Sequence, residues 1–545
     1  MTDRDIFENL HMDIDLSKYQ EKLFSKKDRL FINDTNNNDY SSKYIQLDER
    51  DIRTVLTHQP EKELVIPIAI TSNTFTGPLE GSRYGIVGGR DLIRFTNSVL
   101  SLIGDIQVEE NGKSCTYEPF TSLYNTNKTR LEHSKEWIYS AEAEELCYSL
   151  DNSSGVGGGS NNAVNIANYN CSGPLSKVIT QGVAGGAANN GMVTTGPMYL
   201  PGNDGLLMGS DRFFSKFRYV PGITVNGNVV NAYIGHVTIK LKFLSNFFKE
   251  MDFPAFTNFV YKFYLNFVHG QPNSFLNAAP IQYLQTQTTV TDFFNVPSAP
   301  VYTDLTFWVG ALNMDISNSC RLYYKSIKPN PDKYAEIKRD YDTRRVKEIS
   351  YITCDVYKLS QFANYTNTSQ NELQFASSVK SPQRVWILGY DSACSPYATG
   401  AGNANGFASN GVAFTDANLL NIQLCNILIG RDPYYKYDLQ SDVEFFDEAM
   451  QATATYGIAN ENNSLLSYND WMRANSIYIF DLTRWFVLNG DINNVTLSAK
   501  LIQNNLSVNG IVRTSPRPID LIFLVERLEK KKMIFDRGGI TFESD

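Results

Sequence analysis

His236-Val237-Thr238-Ile239-Lys240-Leu241-Lys242-Phe243-Leu244-Ser245-Asn246-Phe247-Phe248-Lys249-Glu250-Met251-Asp252-Phe253-Pro254 decides how this chain is read. Apolar residues alternate with polar ones from Val237 to Leu241, the period of a half-buried strand. An aromatic pair, two acids and a proline then mark a corner, and Asn258 to Leu265 returns as a second strand. The offsets of Ile239, Leu241, Leu244, Phe247 and Phe248 recur in Ile477, Ile479, Leu482, Trp485 and Phe486. A Gly/Asn/Ala-rich stretch precedes each copy, beginning near Asp151 and near Tyr390. Strand, loop and corner repeated at one period predict two similar β-sandwiches in tandem.

Composition points the same way. The chain has 545 residues, more than a single core of roughly 250 to 300 residues organises. With 31 Tyr and 32 Phe among its residues it favours pleated, half-buried surfaces, so the fold class is all-β with minor helices. The net charge of -9 gives no electrostatic footprint for wrapping a polyphosphate. Local basic clusters, Lys26, Lys27 and Arg29, and Arg527 with Lys530, Lys531 and Lys532, are interrupted or flanked by acids and read as solvated faces. They leave room only for weak contact with packaged nucleic acid.

Seven cysteines (Cys115, Cys147, Cys171, Cys320, Cys354, Cys394, Cys425) show no metal-ligand spacing and read as reduced, buried thiols. No basic segment followed by an apolar run opens the chain, and no run approaches the ~18 apolar residues of a membrane span. Asn-x-Ser/Thr triplets such as Asn364-Tyr365-Thr366 then read as chance.

Residues 1–60 read as a charged arm. The first sandwich is expected over 61–316, with an insertion at 151–206. It opens on Glu63 to Ile70, where Pro67 predicts an edge strand or a strand end, and Glu110-Asn111-Gly112-Lys113 supplies a hairpin turn. A helix is expected from Leu131 to Leu150. Lys328-Pro329-Asn330-Pro331 and the charged run after it set a connector at 317–345. The second sandwich follows over 346–530, with an insertion at 391–416 and a helix from Asp442 capped by Ser441, and 531–545 is left as a C-terminal tail.

No catalytic, cofactor-binding or metal-binding set assembles. The five histidines, His11, His58, His133, His236 and His269, have no H-x-H or H-E-x-x-H spacing. Gly155 and Gly157 are followed by Ser160 where a dinucleotide loop needs its third glycine. Glu109-Glu110 and Glu144-Glu145 are accounted for by their hairpin and helix contexts, and there is no nucleophile elbow. The chain reads as a non-enzyme.

Four stretches carry a family resemblance: the corner from Asn246 to Pro254 between its strands, Ser381-Pro382-Gln383-Arg384-Val385-Trp386, Asp432-Pro433-Tyr434-Tyr435-Lys436-Tyr437-Asp438-Leu439 ahead of a helix, and Ile477 to Arg484. In order, from about residue 60 to 530, they resemble double jelly-roll major capsid proteins of the virophage and polinton-like virus type, relatives of large DNA virus and adenovirus-type capsid proteins. The resemblance implies two eight-stranded jelly rolls side by side. Three copies would form a homotrimeric, pseudo-hexameric capsomer of an icosahedral double-stranded DNA virus. It further implies penton and minor capsid proteins as partners, the two insertions as tower loops, a virion location and assembly in the host cytoplasm. The alternative is a β-sandwich glycan-binding or host-attachment protein, for which Tyr169 and Tyr199 are the only aromatic residues of the first insertion.

Overall fold

The computed structural model describes residues 24–37, 39–73, 75, 77, 90–95, 98–133, 135–148, 212–271, 281–287, 305–310, 319–329, 331–362, 371–391, 422–454, 468, 477–483, 495–503, 507–508, 511–512, 519–536 and 539–544. The insertion at 151–206 and all but Asp391 of the one at 391–416 lie outside these residues.

The barrel strands of the first half are β1 (Phe24–Asn33), β2 (Tyr44–Asp48), β3 (Glu63–Ser72), β4 (Ile103–Glu110), β5 (Lys113–Glu118), β6 (Asn228–Lys240), β7 (Phe259–Leu265) and β8 (Arg321–Pro329). Those of the second are β9 (Val346–Phe362), β10 (Asn371–Val379), β11 (Pro382–Asp391), β12 (Ile422–Ile429), β13 (Asp432–Pro433), β14 (Tyr478–Asp481), β15 (Val495–Gln503) and β16 (Ile519–Asp536), with β17 (Gly539–Ser544) after them. Four helices matter below: α1 (Thr121–Glu132), α2 (Asn246–Glu250), α3 (Pro331–Asp342) and α4 (Asp442–Ala454).

In the first half one sheet has β1-β8-β3-β6 as its core order, extended by Phe217–Val225 beyond β6, by Thr306–Val309 on β3 and by the short Leu56–Thr57 and Ala255–Phe256, and the other runs β2-β7-β4-β5. In the second the orders are β9-β16-β11-β14 and β10-β15-β12-β13. The second pair of orders is the first with every label advanced by eight, and every ladder is antiparallel. Alternation explains the packing: Phe259, Tyr261, Phe263 and Leu265 of β7 are buried while the residues between them are not.

The equivalence of the halves can be read to the residue. Leu64 faces Ile239 across β3–β6, and Val385 faces Phe480 across β11–β14. Just beyond, Leu241 N–H donates to Lys62 O at 2.9 Å and Leu482 N–H to Gln383 O at 2.8 Å. Leu241 therefore matches Leu482. The sequence echo finds the right strand in both halves but aligns it three residues out, pairing Leu244 with Leu482. Leu241–Leu244 is itself one helical turn instead of strand, and both leucines are buried.

Several expected boundaries move. The arm at 1–60 contains β1 and β2, which complete the two sheets of the first barrel. The connector at 317–345 contains β8, so only α3 separates the barrels in sequence. The tail at 531–545 holds the last six residues of β16 and all of β17. Glu63–Ser72 is interior, not an edge; Pro67 is tolerated because its neighbour changes there, from Arg321–Tyr323 of β8 to Thr306–Val309. The helix expected at Leu131–Leu150 gives way to α1, which starts earlier, then two short pieces, Lys135–Tyr139 and Ala141–Glu145. The Asn111-Gly112 turn and α4 form as expected. Ser441 Oγ accepts from Glu444 N–H at 3.2 Å and Glu444 Oε2 accepts from Ser441 N–H at 3.0 Å, a reciprocal cap.

Candidate functional site: the seam between the barrels

Each barrel lends side chains to the other's core. Leu123, Tyr124 and Leu131 of α1 are buried in the core of the second barrel. In return Ile349 and Tyr351 of β9, Met533 and Phe535 of β16, and Ile540 of β17 are buried in the core of the first. Strands β9 and β16 can do this because they are long, 17 and 18 residues, and outrun their own barrel. Phe247 at the start of α2 packs edge-on against Tyr351 at 5.4 Å and tilted against Phe542 at 5.5 Å, and Tyr341 of α3 stacks edge-on between Phe256 (5.1 Å) and Phe535 (5.0 Å). Gly539 starts β17 at φ +132°, where a Cβ would lie 2.9 Å from Asn258 Oδ1; only glycine lets the strand come so close.

The charged groups at the centre of the seam are paired, although Thr126 Oγ1, Asn258 Oδ1 and Trp386 Nε1 are buried without a hydrogen-bond partner. Arg384 Nη2 donates to Glu526 Oε1 at 3.0 Å and to Glu132 Oε1 of α1 at 3.3 Å, and Nη1 donates to Ala452 O at 3.1 Å. Tyr124 O–H donates to Glu526 Oε1 at 2.7 Å. Burial, and then the adjacent Glu526 carboxylate, hold the Tyr124 phenol well above its ordinary pKa. The side chains of Arg384 and Glu526 are 1% and 0% exposed, so this cluster joins α1 of one barrel to the interior of the other.

A second set lies nearby. Glu118 at the end of β5 is buried, and burial pushes its carboxyl up to about 7, against the lowering effects of Ser245 and of Lys128, Lys531 and Arg527. Ser245 Oγ donates to Glu118 Oε1 at 2.5 Å. The Lys531 ammonium donates to Cys115 O and is lowered by burial, while Asn246 Nδ2 donates to Ile352 O at 2.9 Å. The Arg527–Lys532 cluster is thus only in part the solvated face its sequence predicts: Lys530 is exposed, but Lys531 is buried and Arg527 Nε donates to Asp355 at 2.8 Å. At the foot of the first barrel, Lys62 donates to Glu49 in a fully buried pair, with Thr257 and Tyr261 around it.

Residues tested for chemistry stand apart. His133 stacks on Trp137 at 4.0 Å, His58 contacts Asp252, His269 accepts from Val309 N–H, and His236 is an exposed ladder residue opposite Pro67. Glu109 accepts from Lys262 Nζ at 2.7 Å and Glu145 from Lys240 Nζ at 3.1 Å. Among the described residues no group of three or more His, Cys, Asp or Glu side chains could hold a metal, and no helix is long and apolar enough to cross a membrane. Cys115, Cys147, Cys320, Cys354 and Cys425 are buried and unpaired.

The seam cluster did carry a sequence signal. Arg384 alternates with Trp386 and Leu388, and Glu526 with Leu524 and Ile522, each a charge at a core-facing position.

The structure as a whole is similar to a chain in the cryo-EM structure of the Sputnik virophage, with a TM-score of 0.54 and 11% identity over 96% of this chain and 89% of that one. The chain is a double jelly roll. Lower-scoring likenesses of this double jelly roll include the major capsid protein of mavirus (TM-score 0.46, 10% identity, 95% of this chain and 90% of that one) and that of Faustovirus (0.44, 8%, 93% and 90%). No protein-family model matches the sequence, and no curated protein matches it.

Proposed function

We propose that this double jelly roll is a major capsid protein, the shell-building subunit of an icosahedral double-stranded DNA virus. The observation that carries the reading is the doubled strand order joined by a packed seam. Two equivalent barrels fixed side by side present a unit with two near-identical lobes, and three such units close into a ring with six. A ring of this kind tiles a surface with hexagonal symmetry from one gene product. The fold likeness to a chain of a virophage particle supports it. On this reading the working partners are further copies of the chain, first as a homotrimer and then as neighbouring capsomers, with penton and minor capsid proteins closing the shell. Contact with the packaged DNA is weak, because in the basic cluster near the C-terminus Lys531 is taken up in the seam and Arg527 is paired with Asp355. The protein resides in the virion after assembly in the host cytoplasm.

Light scattering on the full-length protein after size exclusion tests this. A mass of three chains is expected; a monomer at micromolar concentration, with binding on a glycan array, favours the attachment-protein alternative instead.

A further inference from the structure

The internal seam specifies a second, external one. Strand registers match β1 and β8 to β9 and β16: Tyr323 faces Glu63 and Phe31, as Glu526 faces Arg384 and Cys354. Phe31 therefore matches Cys354, and Leu30 matches Thr353. In the second barrel Thr353 and Cys354 are 3% and 4% exposed, and α1 of the first barrel lies over this region, with Tyr124 donating to Glu526. In the first barrel the same two positions hold larger apolar side chains that are 42% and 44% exposed. They sit on an edge strand that pairs only with β8 among the described residues. Phe31 and Tyr323 lie 5.4 Å apart there, flanked by Arg29 over Tyr323 and Arg321 over Phe31. Arg321 Nε is buried with no acceptor in the single copy.

The element of the second barrel that corresponds to α1 is α4, the helix that follows β13 as α1 follows β5. It packs on β14, the edge of its sheet farthest from β9. Its residues include Asp442, Glu444, Asp447 and Glu448 and no basic residue, whereas β8 carries Arg321, Lys325 and Lys328 and no acid. Val443 of α4 is 53% exposed.

We propose that the face formed by Phe31, Tyr323 and Arg321, on the opposite side of the sheet from Leu30, is covered by α4 of a second copy of this chain, so that the seam within one chain is repeated between chains. The inference rests on the capsomer reading and names the surface that makes it. Repetition of a head-to-tail contact at a constant rotation closes a ring. Opposite charges set the register, with Arg321, whose Nε has no acceptor within its own chain, facing Asp447 of the neighbour, while Arg29 stays paired with Glu63 and Glu444 with its helix cap, around an apolar centre supplied by Phe31 and Val443.

The test uses the full-length protein and two substitutions at exposed positions, Phe31→Asp and Val443→Asp, with circular dichroism and melting curves to show that each folds as the parent does. Each substitution is expected to raise the concentration for half-dissociation of the trimer at least about 30-fold, the effect of losing a central interface anchor. Phe31→Cys and Val443→Cys placed together, treated with a short bismaleimide, are expected to give bands of two and three chains, and either cysteine alone none. A parent trimer that survives both aspartate substitutions and yields no such bands overturns this inference and leaves the capsid reading standing. A monomeric parent overturns both.

Discussion

Replacing Arg384 by methionine removes the positive centre of the seam and leaves Glu526, whose side chain is 0% exposed, without its guanidinium, while Tyr124 still donates to it. Breaking one partner of a buried ion pair costs about 3–5 kcal/mol, because the surviving charge stays desolvated without compensation. Arg384 also ties Glu132 of α1 and Ala452 O of α4 to the same point, so the loss should reach beyond the second barrel. Urea unfolding, followed by far-ultraviolet circular dichroism and by tryptophan fluorescence, is the assay. Trp386 reports directly, since the Arg384 guanidinium lies 5.5 Å from its ring. We expect Arg384→Met to lower the unfolding free energy by about 4 kcal/mol and to separate the two barrels' transitions. Arg384→Met combined with Glu526→Leu should recover most of that loss, since an apolar pair of similar volume carries no stranded charge. A cost below about 1 kcal/mol for the single variant, or a double variant as unstable as the single one, would refute the argument that this cluster couples the barrels.

Glu118→Gln tests the second polar set. With a folded carboxyl near 7 against an ordinary 4.5, the folded state holds the proton more tightly, so this group's contribution is full below about 4.5 and is lost as pH rises through about 7. The glutamine variant should melt higher than the parent at pH 8, match it near pH 4.5, and show a flatter profile between; an unchanged profile counts against a protonated Glu118. Ile540→Ala removes a fully buried side chain that β17 contributes to the first core, and should cost about 2–5 kcal/mol in denaturant unfolding. A loss under about 0.5 kcal/mol would show that β17 is not part of that core. Ser441→Ala deletes half of the reciprocal cap on α4 and should cost about 1 kcal/mol, read as a drop in melting temperature.

Much of the fold was legible because its strands alternate cleanly. Phe259 to Leu265 and Val385 to Leu388 declare themselves, and the recurrence of one strand and corner in both halves announced the duplication. What was missed has physical causes. β1 carries Lys26, Lys27, Asp28 and Arg29 in a row, and a strand at the edge of a sheet has little apolar burial to reveal it. The end of β16 reads as a basic tail because Lys530, Lys531 and Lys532 follow one another, yet the Lys531 ammonium reaches Cys115 O inside the seam. The three-residue error in the echo arises because Leu241 and Leu244, three apart, share one face of a helical turn, and reading both as strand carried the match past the end of β6. The seam itself joins positions 124, 132, 384 and 526, brought together only by the tertiary fold. Arg384 and Glu526 were visible as charges in apolar strands; their partners on α1 were not.

The central claim is that two equivalent barrels within one chain, joined by a packed seam, make one third of a six-barrelled ring. Averaged electron-microscope images of the purified full-length protein test it most directly. The account predicts particles with a three-fold axis and six lobes, in which the contact between chains resembles the contact within a chain. Isolated two-lobed particles, or rings without six lobes about a three-fold axis, would contradict it.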